Sequence, residues 1–449
     1  MAKPGLVIAA PSSGSGKTVF TLGLLRALAR RGVAVASAKV GPDYIDPAFH
    51  AAASGRPCLN LDAWAMRPRT IASLTAELSQ ESSLIVCEGV MGLFDGADLP
   101  PGDPCGSTAD VAATTGWPVV LLVDVRGQAA SVAALIHGFL RHRQDVPVAG
   151  VVFNRVNSPA HRSMIERACA ASLPSLPLLG WLPRESALSL PERHLGLVQA
   201  REHAALDAQL DEAAAVIESN LDMDRLVALA RPSPLPLETE KSSQIPPLGQ
   251  RIAVARDDAF AFIYPSLLSG WRRAGAELSF FSPLADQAPP ADADAVYLPG
   301  GYPELHGGAL AAASDFLAGL RQAAGRGANI FGECGGYMTL GESLEDADGN
   351  RHMLAGLLPL STSFAKRRLH LGYRRATLLA DGPLGRKGRI FRGHEFHYAV
   401  VMAEGQGENG ARRLFSLTDA AGRPLAEAGL AMGAVAASFI HLLDREDQE

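Results

Sequence analysis

The sequence predicts an α/β protein with two domains, each a β-sheet of mostly parallel strands covered by helices. Two observations lead to this fold class. Short runs rich in Val, Ile and Leu alternate with longer amphipathic stretches, which is the pattern of parallel strands joined by helices. Five prolines within residues 231–249 interrupt this pattern near the middle of the 449 residues. We therefore expect domains at residues 1–230 and 250–449, joined by a linker at residues 231–249.

Each apolar run is short enough for one strand and leaves room for one crossover helix before the next. We expect the first domain to be a doubly wound sheet with strands at residues 6–10, 33–39, 84–88, 119–124 and 149–153. In the second domain the same pattern predicts strands at residues 252–255, 278–281, 295–298 and 329–332. Ligands of such sheets bind at the carboxyl ends of the strands, so polar residues at those ends are the candidates for function.

The composition excludes several classes of protein. The chain is 47% hydrophobic and 20% charged, as in proteins with buried cores, and its formal charge of -6 disfavours nucleic acid as a partner. It has neither an apolar run long enough to span a membrane nor a signal-peptide pattern, so we expect a cytoplasmic protein without a membrane partner. Its five cysteines lack metal-ligand spacing and predict neither a disulfide framework nor a zinc site.

A phosphate-binding loop is predicted between the first strand and the first helix. The segment PSSGSGKT at residues 11–18 follows an apolar run and precedes a helix pattern, the context that a Walker A loop requires. Its glycines let backbone N–H groups approach phosphate oxygens, its lysine adds a charge, and its threonine offers a hydroxyl to Mg²⁺. The predicted binding residues are Gly14, Ser15, Gly16, Lys17 and Thr18.

Carboxylates follow two further strands of the first domain. Glu88 ends the run at residues 84–88, and Asp95 follows in a glycine-containing loop, where oxygen ligands suit Mg²⁺. Lys39, which we also assign to nucleotide binding, ends another strand and precedes Asp43 and Asp46 in a loop with two prolines. A carboxylate in such a loop more often serves turn geometry, but two such loops beside a phosphate loop favour a catalytic site.

An amide side chain ends a fifth strand of the first domain. Asn154 follows the run at residues 148–153. Its amide could hydrogen-bond a nucleotide base, and helix capping explains it nearly as well. We assign Asn154 to nucleotide binding.

In the second domain, Cys334 is the candidate nucleophile. It lies between an apolar strand and a helix pattern and has glycines around it, which suits a strained nucleophile elbow. His441 ends another apolar run and is its predicted base, while the backbone at Gly300 and Gly301 could form an oxyanion hole. A buried core cysteine is the alternative, which these partners disfavour.

Three segments resemble the cobyrinate and hydrogenobyrinate a,c-diamide synthase family: residues 39–50, 60–66 and 88–96. The resemblance implies a P-loop domain similar to dethiobiotin synthetase and a second α/β domain similar to class I glutamine amidotransferases. It implies ATP, glutamine and Mg²⁺ as cosubstrates and cofactor and a corrinoid polycarboxylate as substrate, with or without cobalt. Lys17 and Thr18 would serve ATP and Mg²⁺, and Glu88 would serve the metal. The carboxylates implied for substrate or phosphoryl transfer are Asp43, Asp46 and Asp95.

The sequence departs from class I amidotransferases near the histidine. Those enzymes generally place a glutamate two residues after the catalytic histidine, where this chain has Leu443. Asp444 is one residue too late for the usual geometry, and Glu395 or a backbone carbonyl could orient the histidine instead. His394 and His397 would face opposite sides of a strand, so we assign them no metal.

A basic segment at residues 366–375 is the candidate for binding the substrate's carboxylates in this acidic chain. Within it, Arg374 and Arg375 offer guanidinium forks that suit carboxylates, although a solvated surface is an equal alternative. A homodimer is one assembly that the sequence allows.

Two other functions compete with this prediction. One is a partition-type ATPase, which is disfavoured because Ser12 stands where such proteins carry a signature lysine. The other is a regulatory binding module with an inactive amidotransferase-like domain, which is disfavoured because Cys334 and His441 are both present.

Overall fold

The computed structural model describes residues 2–100, 102–184, 192–193, 196–197, 205–237, 243–405 and 410–446. The chain divides into two compact units. The first unit comprises Met1–Trp64 and Pro68–Thr239, and the second comprises Ala65–Arg67 and Glu240–Glu449. The boundaries expected from sequence, at residues 230 and 250, stay a prediction.

The first unit alternates strands and helices along most of its length. Its strands are β1 Pro4–Ala9, β2 Val35–Val40, β3 Cys58–Leu61, β4 Leu84–Glu88, β5 Val119–Asp124, β6 Val148–Val156, β7 Leu178–Pro183, β8 Glu192–Arg193, β9 Gly196–Leu197 and β10 Arg231–Pro232. Its helices are α1 Lys17–Arg30, α2 Asp46–Ser54, α3 Pro68–Gln80, α4 Thr108–Thr115, α5 Ser131–His142, α6 Pro159–Ser172, α7 Leu206–Asn220 and α8 Met223–Leu229.

The main sheet of this unit has the strand order β3-β2-β4-β1-β5-β6-β7, and all of these neighbours are parallel. The chain leaves β1 toward one edge and later returns to continue toward the other, so β1 lies at the switch point where such folds bind ligands. The register pairs Ile8 with Glu88 and Lys39 with Glu88. The loops that follow β1, β2 and β4 therefore meet at one place, and the predicted doubly wound fold is confirmed.

Apolar side chains on both faces of this sheet explain why its strands are continuous hydrophobic runs. Phe20, Leu24 and Leu28 of α1 are buried against the strands, and Ile217 of α7 packs in the same cluster. Helices α1 and α7 approach closely at Gly23, where an added methyl group would lie 2.9 Å from the Ile217 side chain. Burial of this kind is the main term that stabilises the unit.

The predicted linker begins with residues that the first unit pairs into its sheet. Arg231 and Pro232 form β10, which is antiparallel to β1. Residues 238–242 of the predicted linker lie outside the described residues. Beyond them, Ile245 and Leu248 are buried.

The second unit contains more strands than the sequence pattern indicated. Its strands are β11 Arg251–Ala255, β12 Glu277–Phe281, β13 Ala295–Leu298, β14 Asn329–Glu333, β15 Ser343–Glu345, β16 Arg351–Met353, β17 Leu360–Ser363, β18 His370–Leu378, β19 Ile390–His397, β20 Val400–Glu404, β21 Arg412–Thr418, β22 Pro424–Met432, β23 Val435–Ser438 and β24 Ile440–Arg445. Its helices are α9 Pro265–Arg273, α10 Gly307–Ala312, α11 Ser314–Gly325 and α12 Gly335–Leu340.

The large sheet of this unit is parallel in one half and antiparallel in the other. Its order is β12-β11-β13-β14-β23-β22-β21-β18-β19-β24, and the parallel pairs end at β23. The antiparallel half pairs His394 of β19 with His441 of β24. In the parallel half, Glu333 of β14 pairs with Ser438 of β23, so the residue before Cys334 lies next to the end of a strand that precedes His441 in the chain.

Two further features bear on the sequence predictions. All five cysteines lie among the described residues and carry free thiols. In the part of the chain that the structure describes, no helix combines the length and hydrophobicity that crossing a bilayer requires.

Candidate active sites

The phosphate loop connects β1 to α1, which begins at Lys17. Gly14 and Gly16 have positive φ angles of 73° and 92°, which non-glycine residues adopt only with strain. A methyl group added at Gly16 would lie 2.6 Å from Asn154 Nδ2, so this position also needs glycine for space. Both glycines are therefore needed for their backbone angles, and Gly16 is needed for space as well.

Asn154 lies in the last part of β6, which ends at Val156, and holds the loop from one side. Its Nδ2 donates a hydrogen bond to the Ser15 carbonyl (2.8 Å), and its Oδ1 accepts one from the Arg155 backbone N–H (2.9 Å). Arg155 in turn donates to the Gly14 carbonyl (2.9 Å). These contacts support the shape of the loop, and a contact of Asn154 with a nucleotide base stays a prediction.

A buried polar cluster lies directly beside the loop. Thr18 Oγ1 donates to Glu88 Oε1 (2.8 Å) and lies 3.4 Å from Asp46 Oδ2. Lys39 Nζ binds the same two oxygens, at 2.7 Å to Glu88 and 2.6 Å to Asp46. Lys17 Nζ donates to the Met91 carbonyl (2.5 Å). The structure therefore brings together residues that the sequence places on four separate segments.

Burial and charge act against each other in this cluster. Burial lowers the pKa of Lys17. Burial would also lower the pKa of Lys39, but Asp46 and Glu88 outweigh it, so that pKa lies well above its usual value. Burial would raise the pKa of Glu88, but the effects of Lys39 and His50 outweigh burial, so the pKa of Glu88 is lowered. Lys39 and Glu88 are therefore charged at neutral pH, so an ion pair is held next to the loop.

Asp43 and Asp95 lie close to the cluster without joining its direct contacts. Asp43 Oδ1 accepts hydrogen bonds from the N–H groups of Ile45 (2.8 Å) and Asp46 (3.0 Å) at the start of α2, and burial raises its pKa to about 7. Asp95 Oδ2 accepts from the Gly92 N–H (2.8 Å). Both carboxylates shape loops in this structure, and their roles toward the substrate stay predictions.

His50 is a residue of this site that sequence reasoning missed. It is fully buried, and its Nε2 lies 2.6 Å from Glu88 Oε2. Burial would lower the pKa of His50, but Cys58 and Glu88 outweigh it and raise that pKa to about 10. Its spacing of four residues from Asp46 on one helix was the available signal, because such residues share a helix face.

In the second unit, Cys334 occupies a sharp turn between β14 and α12. Its φ of 48° and ψ of -100° are strained for a residue other than glycine. Its N–H donates to the Ser438 carbonyl (2.8 Å), which ties the turn to the neighbouring strand. This is the geometry of a nucleophile elbow, in which the turn presents the side chain at the end of the strand.

His441 lies beside Cys334 across Gly300. A methyl group added at Gly300 would lie 2.5 Å from His441 Cε1 and 3.4 Å from Cys334 Cβ. Burial raises the pKa of the Cys334 thiol and lowers the pKa of His441 well below its usual value. The pair therefore rests as a neutral thiol and a neutral imidazole, which is the state that lets the histidine act as a base.

The predicted oxyanion backbone is also close to the nucleophile. A methyl group added at Gly335 would lie 3.0 Å from the Gly301 nitrogen, and one added at Gly301 would lie 2.0 Å from the Ala259 carbonyl oxygen. The backbone N–H of Gly335 also lowers the pKa of Cys334, against the larger effect of burial. Gly335 is a candidate oxyanion donor that sequence reasoning missed, although it directly follows the nucleophile.

The acids considered from sequence as partners of His441 have other partners. Asp444 is buried and accepts two hydrogen bonds from the guanidinium of Arg67 (3.0 and 2.8 Å), within the second unit. Glu395 Oε1 lies 3.0 Å from His397 Nε2. Glu333 instead places Oε2 4.0 Å from His441 Nδ1.

Arg374 and Arg375 each bind a carboxylate of the protein. Arg374 Nε donates to Glu395 Oε2 (2.8 Å), and Arg375 Nε donates to Glu446 (2.9 Å). A role in holding substrate carboxylates stays a prediction, and it would require these ion pairs to exchange partners.

His394 and His397 point to different neighbours, as expected for residues three apart on a strand. His394 Nε2 lies 3.0 Å from the Tyr264 hydroxyl, whereas His397 joins Glu395 and His370 in a group whose polar atoms lie within 4.8 Å of one another. Because Arg374 already pairs with Glu395, we assign this group no metal.

Comparison with known proteins identifies the class of each half. Residues 6–198 match the family model of the CobQ/CobB/MinD/ParA nucleotide binding domain. Residues 251–448 match that of the CobB/CobQ-like glutamine amidotransferase domain. A phosphate loop in one unit and a thiol elbow in the other thus agree with a nucleotide-binding domain joined to a glutamine amidotransferase domain.

Curated relatives align over nearly the whole chain. It is 55% identical to the hydrogenobyrinate a,c-diamide synthase of Brucella abortus biovar 1 (strain 9-941), over 98% of each chain. It is 54% identical to the enzyme of that name from Rhizobium meliloti (strain 1021), over 98% of this chain and 99% of the relative. The chain belongs to the hydrogenobyrinate a,c-diamide synthase family, which confirms the resemblance predicted from its motifs.

Proposed function

We propose that the chain catalyses the ATP- and glutamine-dependent amidation of the a and c side-chain carboxylates of hydrogenobyrinic acid in cobalamin biosynthesis. The observation that carries this function is the presence, in one chain, of a thiol elbow with an adjacent histidine and a phosphate loop with an adjacent polar cluster. Relatives named for this reaction share more than half of their residues with it.

The ligase reaction needs an activated carboxylate, because a carboxylate does not release oxygen to ammonia directly. Transfer of the γ-phosphoryl group of ATP to a side-chain carboxylate gives ADP and an acyl phosphate. Ammonia then attacks the acyl carbon, and inorganic phosphate leaves. Lys17 and the backbone N–H groups of residues 14–18 would bind the phosphates and stabilise the charge on the transferred group.

The donor atoms beside the loop fit Mg²⁺. Thr18, Asp46 and Glu88 present a hydroxyl and two carboxylates, the hard oxygen ligands that this ion prefers. We propose that Thr18 and Glu88 hold the ion, with Asp46 adjacent. Bound there, Mg²⁺ would neutralise phosphate charge, while Lys39 keeps the two carboxylates in place.

The second unit would release the ammonia from glutamine. His441 takes the proton of the Cys334 thiol, and the thiolate attacks the side-chain amide carbon of glutamine. Backbone N–H groups at Gly300, Gly301 and Gly335 would stabilise the oxyanion. His441 then protonates the leaving ammonia, and water hydrolyses the thioester to glutamate and free thiol.

The remaining partners follow from this chemistry. The substrate is a corrinoid polycarboxylate, for which Arg374 and Arg375 stay our candidate ligands. We further propose that the protein works in the cytoplasm without nucleic acid or membrane partners, and that a homodimer is compatible with its function.

Replacing the nucleophile separates the two reactions. With hydrogenobyrinic acid and ATP, Cys334→Ala should abolish glutamine-dependent amide formation and retain it with added ammonium salt, because only the release of ammonia needs the thiol. Cys169→Ala is the matched control, since it removes another buried thiol far along the chain. Assays with cobyrinic acid alongside hydrogenobyrinic acid test the choice of corrinoid.

Two outcomes of that experiment would contradict the proposal. Equal loss of activity with glutamine and with ammonium in Cys334→Ala would contradict the role of the thiol in releasing ammonia. Amide formation by the wild type without ATP would contradict an acyl phosphate intermediate.

A further inference from the structure

The histidine of the amidotransferase site lacks the glutamate that class I enzymes generally carry two residues later, because Leu443 occupies that position. A different carboxylate is present at the same imidazole. Glu333 directly precedes the nucleophile, is 2% exposed, and places Oε2 4.0 Å from His441 Nδ1. Both side chains are buried, so solvent screens their interaction only weakly.

We propose that Glu333 is the positioning residue for His441, and that it stabilises the imidazolium formed during glutamine hydrolysis from the strand that carries the nucleophile. This inference rests on the proposed glutaminase reaction. The carboxylate that positions the histidine would then lie at the end of β14, whereas class I enzymes generally place it two residues after the histidine.

The carboxylate of Glu333 is held by two hydrogen bonds that leave little freedom. The Tyr297 hydroxyl of the neighbouring strand β13 donates to Oε2 (2.7 Å). The N–H of Leu442, the residue after the histidine, donates to Oε1 (3.0 Å). Glu333 therefore fixes the backbone at the histidine to the strand of the nucleophile, and both donors favour its charged form.

Other titratable groups face this imidazole. The ring of His394 stacks on His441 with centroids 5.0 Å apart, and the Tyr264 hydroxyl lies 3.0 Å from His394 Nε2. Burial lowers the pKa of His394 to about 3. The pKa of His441 is lowered first by burial and then, by smaller effects, by His394 and His397.

Three acids lie near the thiol. After burial, Glu304, Glu333 and Glu395 raise the pKa of Cys334. Glu333 differs from the other two because it also lies beside Nδ1 of the base, where the charge of the imidazolium can be balanced.

The reaction creates the charge that this carboxylate would stabilise. When the thiol proton moves to His441, the imidazole becomes an imidazolium inside a buried site. A fixed negative charge at Nδ1 favours that state over the neutral pair, and it needs no reorganisation as the proton moves. When His441 passes the proton to ammonia, the interaction weakens again.

The test is Glu333→Gln, which keeps the shape and an acceptor oxygen for Leu442 but removes the charge. We expect the kcat for glutamine hydrolysis to fall roughly 10- to 100-fold, with the KM for glutamine and the ammonium-dependent amidation unchanged. Tyr297→Phe, which removes the hydroxyl that orients Oε2, should lower kcat less, in the same direction. Glu404→Gln is the matched control, because Glu404 also accepts a tyrosine hydroxyl, that of Tyr337, elsewhere in the unit.

The pH profile distinguishes an electrostatic role from a merely structural one. Removing the negative charge lowers the pKa of the His441 imidazolium, so the limb of the glutaminase profile that reports His441 should move to lower pH in Glu333→Gln. A change in packing alone would lower the rate without moving that limb. Burial raises the pKa of Glu333 itself to about 7, so the wild-type rate should also decline below neutral pH as Glu333 is protonated.

Several results would overturn the inference. A folded Glu333→Gln protein with wild-type kcat and an unshifted profile would do so, as would a variant that loses glutamine and ammonium activities together. If Glu333→Gln fails to fold, a Tyr297→Phe enzyme with wild-type kcat for glutamine hydrolysis would contradict the positioning role of Glu333. Cys334→Ala, assayed alongside, separates failure of this role from failure of the proposed function: if that variant retains glutaminase activity, the proposed reaction at Cys334 is itself wrong.

Discussion

Glu88 binds three side chains at once, and the histidine among them offers a test of how the first site is held together. Its Oε2 contacts His50, while Oε1 contacts Lys39 and Thr18. We expect His50→Asn to lower the free energy of unfolding by about 2–3 kcal/mol, since a buried carboxylate loses a charged hydrogen-bond partner. Urea unfolding followed by tryptophan fluorescence measures this difference.

The effect should depend on pH in a direction set by both groups. The pKa of His50 is raised from 6.5 to about 10, so its contribution is complete below about pH 6.5 and is lost as the pH rises toward 10. The pKa of Glu88 is lowered from 4.5, so its contribution is present above that pH and is lost in acid. The difference between wild type and variant should be largest between about pH 5 and 6.5. Exposed His137→Asn is the control, and a pH-independent difference would contradict the ion pair.

Some residues of the two sites could be predicted from the sequence and others could not. Lys39, Glu88 and Cys334 were predictable because each lies at the end of an apolar run, and parallel sheets collect such ends. His50 and Glu333 were not, because their roles depend on contacts that cross between segments and leave no local pattern. In the sequence, Glu333 is recognisable only as the residue that precedes the nucleophile at the end of β14.

The two glycines of the phosphate loop should respond differently to substitution by alanine. Both have positive φ, but a methyl group meets Asn154 Nδ2 at 2.6 Å in Gly16→Ala and meets nothing within 4 Å in Gly14→Ala. We expect Gly14→Ala to suffer only the strain of its backbone, roughly 1–2 kcal/mol. Gly16→Ala should in addition displace Asn154 and lower the affinity for ATP at least about tenfold.

Nucleotide titration of the two variants, with Gly32→Ala as the control, checks this order. Gly32 also has positive φ and open space, but it lies at the far end of α1. If Gly14→Ala and Gly16→Ala bind ATP equally well, the contact of Asn154 with the loop has no bearing on nucleotide binding.

The elements themselves were predicted unevenly. The buried parallel strands of both units appear in the sequence as apolar runs, and β5 and β13 coincide with the predicted ranges. The antiparallel half of the second sheet was not predicted, because its strands mix exposed and buried positions. In β18, for example, only two of nine residues are buried, so no apolar run marks it. That half nevertheless carries His394, the partner of His441 in the register.

Ammonia must pass from the glutaminase reaction to the ligase reaction. Glutamine hydrolysis at Cys334 and ligation beside Lys17 are proposed for separate units of one chain. At neutral pH, ammonia released into solvent is diluted and protonated, and ammonium has no lone pair with which to attack an acyl phosphate. Retention of ammonia within one chain would therefore raise the rate through proximity.

Mixing two variants tests that retention. Lys17→Ala should stop amide formation with either nitrogen source and keep glutaminase activity, because the phosphoryl group loses its charged partner while the thiol site is intact. Cys334→Ala should do the opposite. An equimolar mixture supplied with glutamine should make amide at less than roughly a tenth of the wild-type rate, since ammonia must then cross the solvent. Ammonium salt added to the same mixture should restore the rate of Cys334→Ala, and glutamate release should confirm that Lys17→Ala is active. A mixture that matches the wild type without added salt would show that ammonia exchanges freely between chains.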